Sequence, residues 1–410
     1  MASLLSTADL ATRIRRDVDR NISRTRNGIK HVVGIDRVKV AQTPRDEVWA
    51  HEKVRLYRYR SDQREHRTPV LLVMSLVSKA YIFDLRPGSS FVEVLLAKGL
   101  DVFLLDWGVP DHLDAENTFE TYCDDYLPKA VRATCDEAGV EGVTLLGYCL
   151  GGVLALLHTA GHPDSPVTTL VCMATPVDFS KMGPGTLLTT DGRLDIDDMI
   201  DDTGNVPADA ILNSFRLLRP TGDFSGYANL WQNLWNDEYV EAYQAMTGWS
   251  KDQIPFPGAA MRQSIRWFNR ENALMSDSVR MGGRPVRLAE ITCPFLSVLA
   301  EKDHIAPPEA VGPLINLVGS PDKTEMRLPA GHVGLIVGRA ASKHTMPAIA
   351  DWIAGRSVDA PAKPAKPAKP AKSQRAKPTK AGIPGSKAAS VHTTPIKAGP
   401  AKSAPKGRGK

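Results

Sequence analysis

A thiol, a carboxylate and an imidazole stand along this 410-residue chain in the order Cys149, Asp303, His332. Acyl transfer through a covalent intermediate needs these three types: a nucleophile, a base to take its proton, and an acid to hold that base in one tautomer. Cys149 is central in Gly147-Tyr148-Cys149-Leu150-Gly151-Gly152, between the apolar runs 143–146 and 153–157. A G-x-nucleophile-x-G turn between a strand and a helix strains its central residue and lifts the side chain above the sheet edge. The glycines two before and two after leave no Cβ to strike the neighbouring strand and helix. The helix N-terminus behind Cys149 favours the thiolate. Serine usually occupies such an elbow, and cysteine here is the main clue to function.

The competing reading of the hexapeptide is a small buried residue in a Gly-rich turn, and the downstream partners decide between the two. Asp303 lies in Ala300-Glu301-Lys302-Asp303-His304-Ile305-Ala306-Pro307, directly after an apolar run. His332 lies between two glycines in Pro329-Ala330-Gly331-His332-Val333-Gly334. Loops at the carboxyl ends of parallel strands are where such residues converge, and nucleophile, carboxylate, histidine is the order this architecture uses. Asp303 has a second reading as a cap of the helix begun by Pro307-Pro308, with Glu301 as the alternative acid. His304 is a rival base or an auxiliary. His158 and His162, on the nucleophile helix or at its end, read as structural. The oxyanion hole is expected from the backbone N–H of Leu150 and, in the loop Ser75-Leu76-Val77-Ser78-Lys79-Ala80, of Val77.

Positioning these groups requires a sheet. Strands are expected over 70–74, 102–106, 143–147, 170–174, 295–300 and 325–328, with Lys53–Tyr59 as an edge strand. Helices are expected near 7–32, 89–98, 125–138, 150–161, 308–318 and 343–353. Short continuous apolar strands alternating with amphipathic helices predict an α/β fold, a parallel sheet covered on both faces. The alternation stops between about 179 and 288, a stretch holding four of the seven tryptophans. Its place between two core strands suits a cap that shields the reaction centre and carries a dimer contact, although most of its aromatics would form its own core. The expected organisation is 1–60 as an N-terminal segment, 61–178 with 289–355 as the core, 179–288 as the cap and 356–410 as a tail.

Charge divides the chain. Residues 361–410 carry 13 of the 51 Lys/Arg and none of the 46 Asp/Glu, which leaves residues 1–360 at a net of −8. Residues 361–372 are four Pro-Ala-Lys repeats, and 356–410 contain no Phe, Trp, Tyr or Leu. Such a composition predicts disorder, with polyanions such as DNA or polyphosphate as electrostatic partners. Five cysteines at irregular spacing, with no C-x-x-C pair, argue against a disulfide framework and a metal site and suit a reducing cytosol. The charged N-terminal stretch is no signal peptide, and no apolar run of about 18 residues exists to cross a bilayer.

The runs Val77–Ser90, Asp101–Gly108, Gly147–Gly152, Glu301–His304 and Gly331–Gly334 resemble those of polyhydroxyalkanoate synthases, in the family's order. The resemblance covers about residues 30–355. It implies an α/β-hydrolase core with a cap, and polymerisation of (R)-3-hydroxyacyl-CoA into polyester with release of coenzyme A, without a cofactor. It makes Cys149 the acylated nucleophile, His332 its base, and Asp303 the support of His332 or the activator of the incoming hydroxyl. The short N-terminal region is similar to that of the class III-like members, whose catalytic subunit works with a separate partner subunit, and the family implies work at polyester granules in the cytoplasm. Ser78 stands where the family often carries asparagine, and the basic tail is similar instead to those of histone-like, granule-associated proteins. A thiol-dependent hydrolase on the same fold (a thioesterase or polyester depolymerase), and a granule or nucleoid tether acting through the tail, are the competing functions.

Overall fold

The apolar runs become strands because the chain can cover them from both sides. The computed structural model describes residues 38–183, 195–218 and 229–357, together with 15, 18–23 and 25–27. Eight strands form one sheet: β1 (Arg45–His51), β2 (Val54–Tyr59), β3 (Val70–Val73), β4 (Val102–Asp106), β5 (Val143–Tyr148), β6 (Val167–Met173), β7 (Phe295–Ala300) and β8 (Lys323–Leu328). Their spatial order is β1-β2-β4-β3-β5-β6-β7-β8. β1 and β2 run antiparallel to each other, β2 runs antiparallel to β4, and the remaining neighbours are parallel.

Alternate side chains of each strand feed opposite layers. Leu71, Phe103 and Leu145 pack in one layer with Leu127, Val131, Leu154 and Leu157 from α2 (Leu127–Ala138) and α3 (Leu150–Gly161). Leu72, Leu104 and Leu146 pack in the other with Phe91 and Leu95 of α1 (Phe91–Ala97) and with Ile349 and Ile353 near the C-terminal end of the described chain. All six strand residues are fully buried, and each contributes about 1.5–3 kcal/mol relative to exposure. That two-sided burial is why β3, β4 and β5 read as unbroken apolar runs.

Three expectations need correction. The strand in Lys53–Tyr59 is not an edge: Glu52 turns the chain at φ 51°, so β1 folds back as a hairpin and takes the edge position. The helix expected over 308–318 is two single turns, Pro308–Val311 and Leu314–Leu317, because Pro313 interrupts the ladder. The helices expected over 125–138 and 343–353 begin as wider π-type turns at Thr121–Tyr126 and Ala341–Thr345. Of the helix expected near 7–32, the described residues are helical and the rest lie outside the described residues, as does the tail from 358 onward.

The stretch between β6 and β7 holds α4 (Ala208–Leu218), α5 (Asp237–Lys251) and α6 (Gly258–Ser264). Its second half shares the sheet's own core: Phe256, Trp267 and Phe268 lie in the layer with α2 and α3, and Phe268 stacks on Phe179 at 4.6 Å. Its first half is looser, with a small cluster of Leu230, Leu234 and Val240, and with Trp231 67% exposed. The described residues all belong to one compact unit. Among the described residues no helix is long and apolar enough to cross a membrane.

Candidate active site

β5 delivers its last residue, Tyr148, against the sheet end, and α3 starts two residues later, leaving Cys149 alone in the turn. Cys149 sits at φ 57° and ψ −125°, a conformation that costs an L-residue of the order of 1–3 kcal/mol. The flanking glycines are sterically required. A Cβ on Gly147 would lie 2.5 Å from the Gly152 Cα, and one on Gly151 would overlap the Val73 carbonyl oxygen. Helix and sheet therefore meet backbone to backbone, with the thiol, half-exposed, held above them.

Asp303 and His332 arrive from the ends of β7 and β8. Asp303 Oδ1 accepts the N–H groups of Ile305 at 2.8 Å and Ala306 at 2.9 Å, so it closes the turn before the helix and does not cap the helix itself, which starts from Pro307 without a side-chain cap. Its other oxygen accepts from His332 Nδ1 at 2.7 Å. The Asp303 side chain is fully buried and that of His332 is 9% exposed. Nδ1 is committed to Asp303, and His332 and Cys149 line one cavity, near enough for the thiol's charge to act on the imidazole. Burial pushes the His332 pKa down, but the charge of Cys149 and the hydrogen bond to Asp303 outweigh it and raise it to about 10. Tyr148 braces the same imidazole, its ring 5.0 Å away and its hydroxyl donating to the His332 carbonyl at 3.2 Å.

The rival residues fall elsewhere. Glu301 and His304 are exposed, and neither lines the cavity above Cys149. His158 is buried on the inner side of α3, its ring bonded to the Cys123 carbonyl and the Ser165 hydroxyl. Burial holds its pKa down at about 4. His162 pairs with Asp124 at 2.9 Å. Both histidines are structural, as their helix positions predicted. All five cysteines are free. Burial pushes the thiols of Cys123, Cys135, Cys172 and Cys293 up, the second and fourth to about 11. Among the described residues no cluster of three or more His, Cys, Asp or Glu is placed to hold a metal.

A cavity of about 360 Å³ opens over the thiol. Its floor is Cys149, Tyr148 and His332, one wall is Ser75, Val77 and Ser78 after β3, and the roof is Phe215 of α4 with Tyr243, Met246 and Trp249 of α5. Val77 thus faces the site. Leu150 begins α3 directly behind the thiol, where its amide has no partner within the helix. The roof residues and Tyr148 were not singled out as site residues in the sequence. The density of aromatics after β6 was the available signal, but nothing in it separates roof from core.

Residues 84–339 match the family described as alpha/beta hydrolase fold, and residues 5–95 match Poly-beta-hydroxybutyrate polymerase (PhaC) N-terminus. A protein of Allochromatium vinosum named Poly(3-hydroxyalkanoate) polymerase subunit PhaC is 35% identical over 336 residues, covering 80% of this chain and 93% of its own. Proteins of the same name from Thiocystis violacea and Synechocystis sp. are 33% and 35% identical, covering 82% and 80% of this chain and 95% and 90% of theirs.

Proposed function

The chain belongs to the poly(3-hydroxyalkanoate) polymerase family on the alpha/beta hydrolase fold, and from that premise we propose that it polymerises (R)-3-hydroxyacyl groups from coenzyme A through an acyl thioester on Cys149. The observation that carries this reading is the hydrogen-bonded pair of Asp303 and His332 set with Cys149 at the floor of a cavity roofed by apolar side chains.

The Cys149 thiolate attacks the thioester carbonyl, and the amides of Leu150 and Val77 stabilise the oxyanion. The bond to the coenzyme sulfur breaks, and His332 gives that sulfur a proton as it leaves. The hydroxyl oxygen of a second hydroxyacyl group then attacks the Cys149 thioester. Its proton passes to His332, an oxygen ester forms, and the thiolate returns, one coenzyme A having been released per ester. Both oxygens of Asp303 are engaged by His332 and the turn amides, which favours its role as the support of His332 over activation of the hydroxyl. Cysteine suits this sequence because exchanging one thioester for another costs little and keeps the acyl group active towards an alcohol. Water must be kept out, since it would take the same acyl group. The roof residues of 179–288 serve as that cap.

Around this centre we place the coarser partners: a separate synthase subunit and a second copy of the chain, action at the surface of polyester granules, and polyanions for the basic tail. Purified protein given 3-hydroxybutyryl-CoA should release coenzyme A and accumulate polymer. Release with only free acid formed would make it a hydrolase instead. Turnover that survives truncation at 356 excludes a function residing in the tail.

A further inference from the structure

The loop after β3 carries the Val77 amide, and it is held from two sides. On the core side, Trp107 Nε1 donates to the Met74 carbonyl at 2.8 Å. On the other side the insertion grips it. The Ile254 amide donates to the Val77 carbonyl at 3.2 Å, and Trp249 Nε1 donates to the Lys79 carbonyl at 2.8 Å. Between these two bonds, Ser78 forms an isolated antiparallel bridge with Gln253, and its hydroxyl donates to Gln253 Oε1 at 2.7 Å. The other end of that amide is committed as well, with Nε2 donating to the Ser250 carbonyl at 2.8 Å. Gln253 therefore presents its oxygen to Ser78 and cannot turn it away without losing both bonds.

A cover that only excluded water would need apolar contact. Two of these bonds instead run from the insertion to carbonyls of one loop and fix their peptide planes, and the third holds the Ser78 hydroxyl between them. We propose that Gln253 is a positioning residue: by holding Ser78 it orients the loop that supplies the second oxyanion donor, so the seated insertion, and not the core alone, completes the oxyanion hole. This rests on the assignment of Val77 above. Docking of the insertion then does two things at once, drying the site and arming it.

The test uses two reactions of the same thiol. Acylation of Cys149 by 4-nitrophenyl butyrate passes through an oxyanion whichever acyl donor is natural, whereas alkylation by iodoacetamide does not. Gln253→Ala should slow acylation about 10- to 100-fold, below the 10²- to 10³-fold cost of deleting a donor outright. Alkylation should stay within about twofold, and the ester's KM should change little. Ser78→Ala should behave alike, and the double variant should be no worse than the poorer single, because the two act as one unit. Unchanged acylation in Gln253→Ala overturns the proposal, as does a parallel loss of acylation and alkylation, which would mean general disruption. Additive losses in the double variant overturn it too. Coenzyme A release from 3-hydroxybutyryl-CoA by the unmutated protein is read separately, so failure of the polymerase reading is told apart from failure of this one.

Discussion

The nucleophile turn and the insertion over it solve opposite problems. From β5 to α3 the backbone is packed so closely that Gly147 and Gly151 admit no Cβ, and the thiol sits in a strained conformation that only rigid surroundings sustain. Among its described residues the insertion keeps a 67% exposed Trp231 and a small satellite core. It reaches the reaction through a few directed hydrogen bonds to one loop. Under the proposed function, chemistry is fixed by steric necessity in the first region, and access and acceptor choice fall to directed contacts in the second. Catalytic loss and loss of selectivity should therefore be separable by mutation.

The largest effect should come from the rigid region. Cys149→Ala should abolish coenzyme A release, with at least about a 10⁴-fold loss, since the members of a triad act as a unit. Asp303→Asn keeps the shape but loses the tautomer control over His332 and should cost about 10³- to 10⁴-fold in kcat; steady-state release assays measure both. A loss below about tenfold in Asp303→Asn would remove Asp303 from the line.

Gly147→Ala should destabilise the protein by about 1–3 kcal/mol through overpacking at a backbone contact. Trp231→Ser, on the exposed side of the insertion, should stay within about 0.5 kcal/mol. Denaturant titration of both variants sharpens the contrast, and equal losses would break it. In the roof, Phe215→Ala should leave acylation nearly intact while shifting product severalfold from polymer towards free acid, a partition read by quantifying both.

The smallest effect is on pH dependence. The folded pKa of His332 is raised to about 10 from the ordinary 6.5. The stability this supplies is fully present below about pH 6.5 and is lost as pH rises through about 10. The stability gap between the unmutated protein and His332→Gln should shrink across that window. In a Cys149→Ala background, which lacks the thiolate charge, the shrinkage should be smaller; an equal slope would assign the shift to Asp303 alone.

The rigid region was the more legible one. Glycine spacing announced the elbow because a backbone contact forbids every other residue there, and Asp303 and His332 were visible as polar residues directly after apolar strands. Strands β4 and β7 matched their expected bounds because both their faces are buried. The edge strand was misplaced because β1, exposed on one side, carries polar residues that hide its period. The pairing of Ser78 with Gln253 spans 175 residues of sequence and leaves no local pattern to find. Directed contacts at long separation are what a single sequence conceals.

Burial pushes the thiols of Cys123, Cys135, Cys172 and Cys293 well out of the neutral range. The fifth thiol is half-exposed, beside His332 at the floor of an open cavity. At neutral pH a limiting dose of a thiol reagent should consequently mark one residue per chain. Under the proposed function that residue is the nucleophile, and label counts against turnover would give the fraction of competent molecules in any preparation.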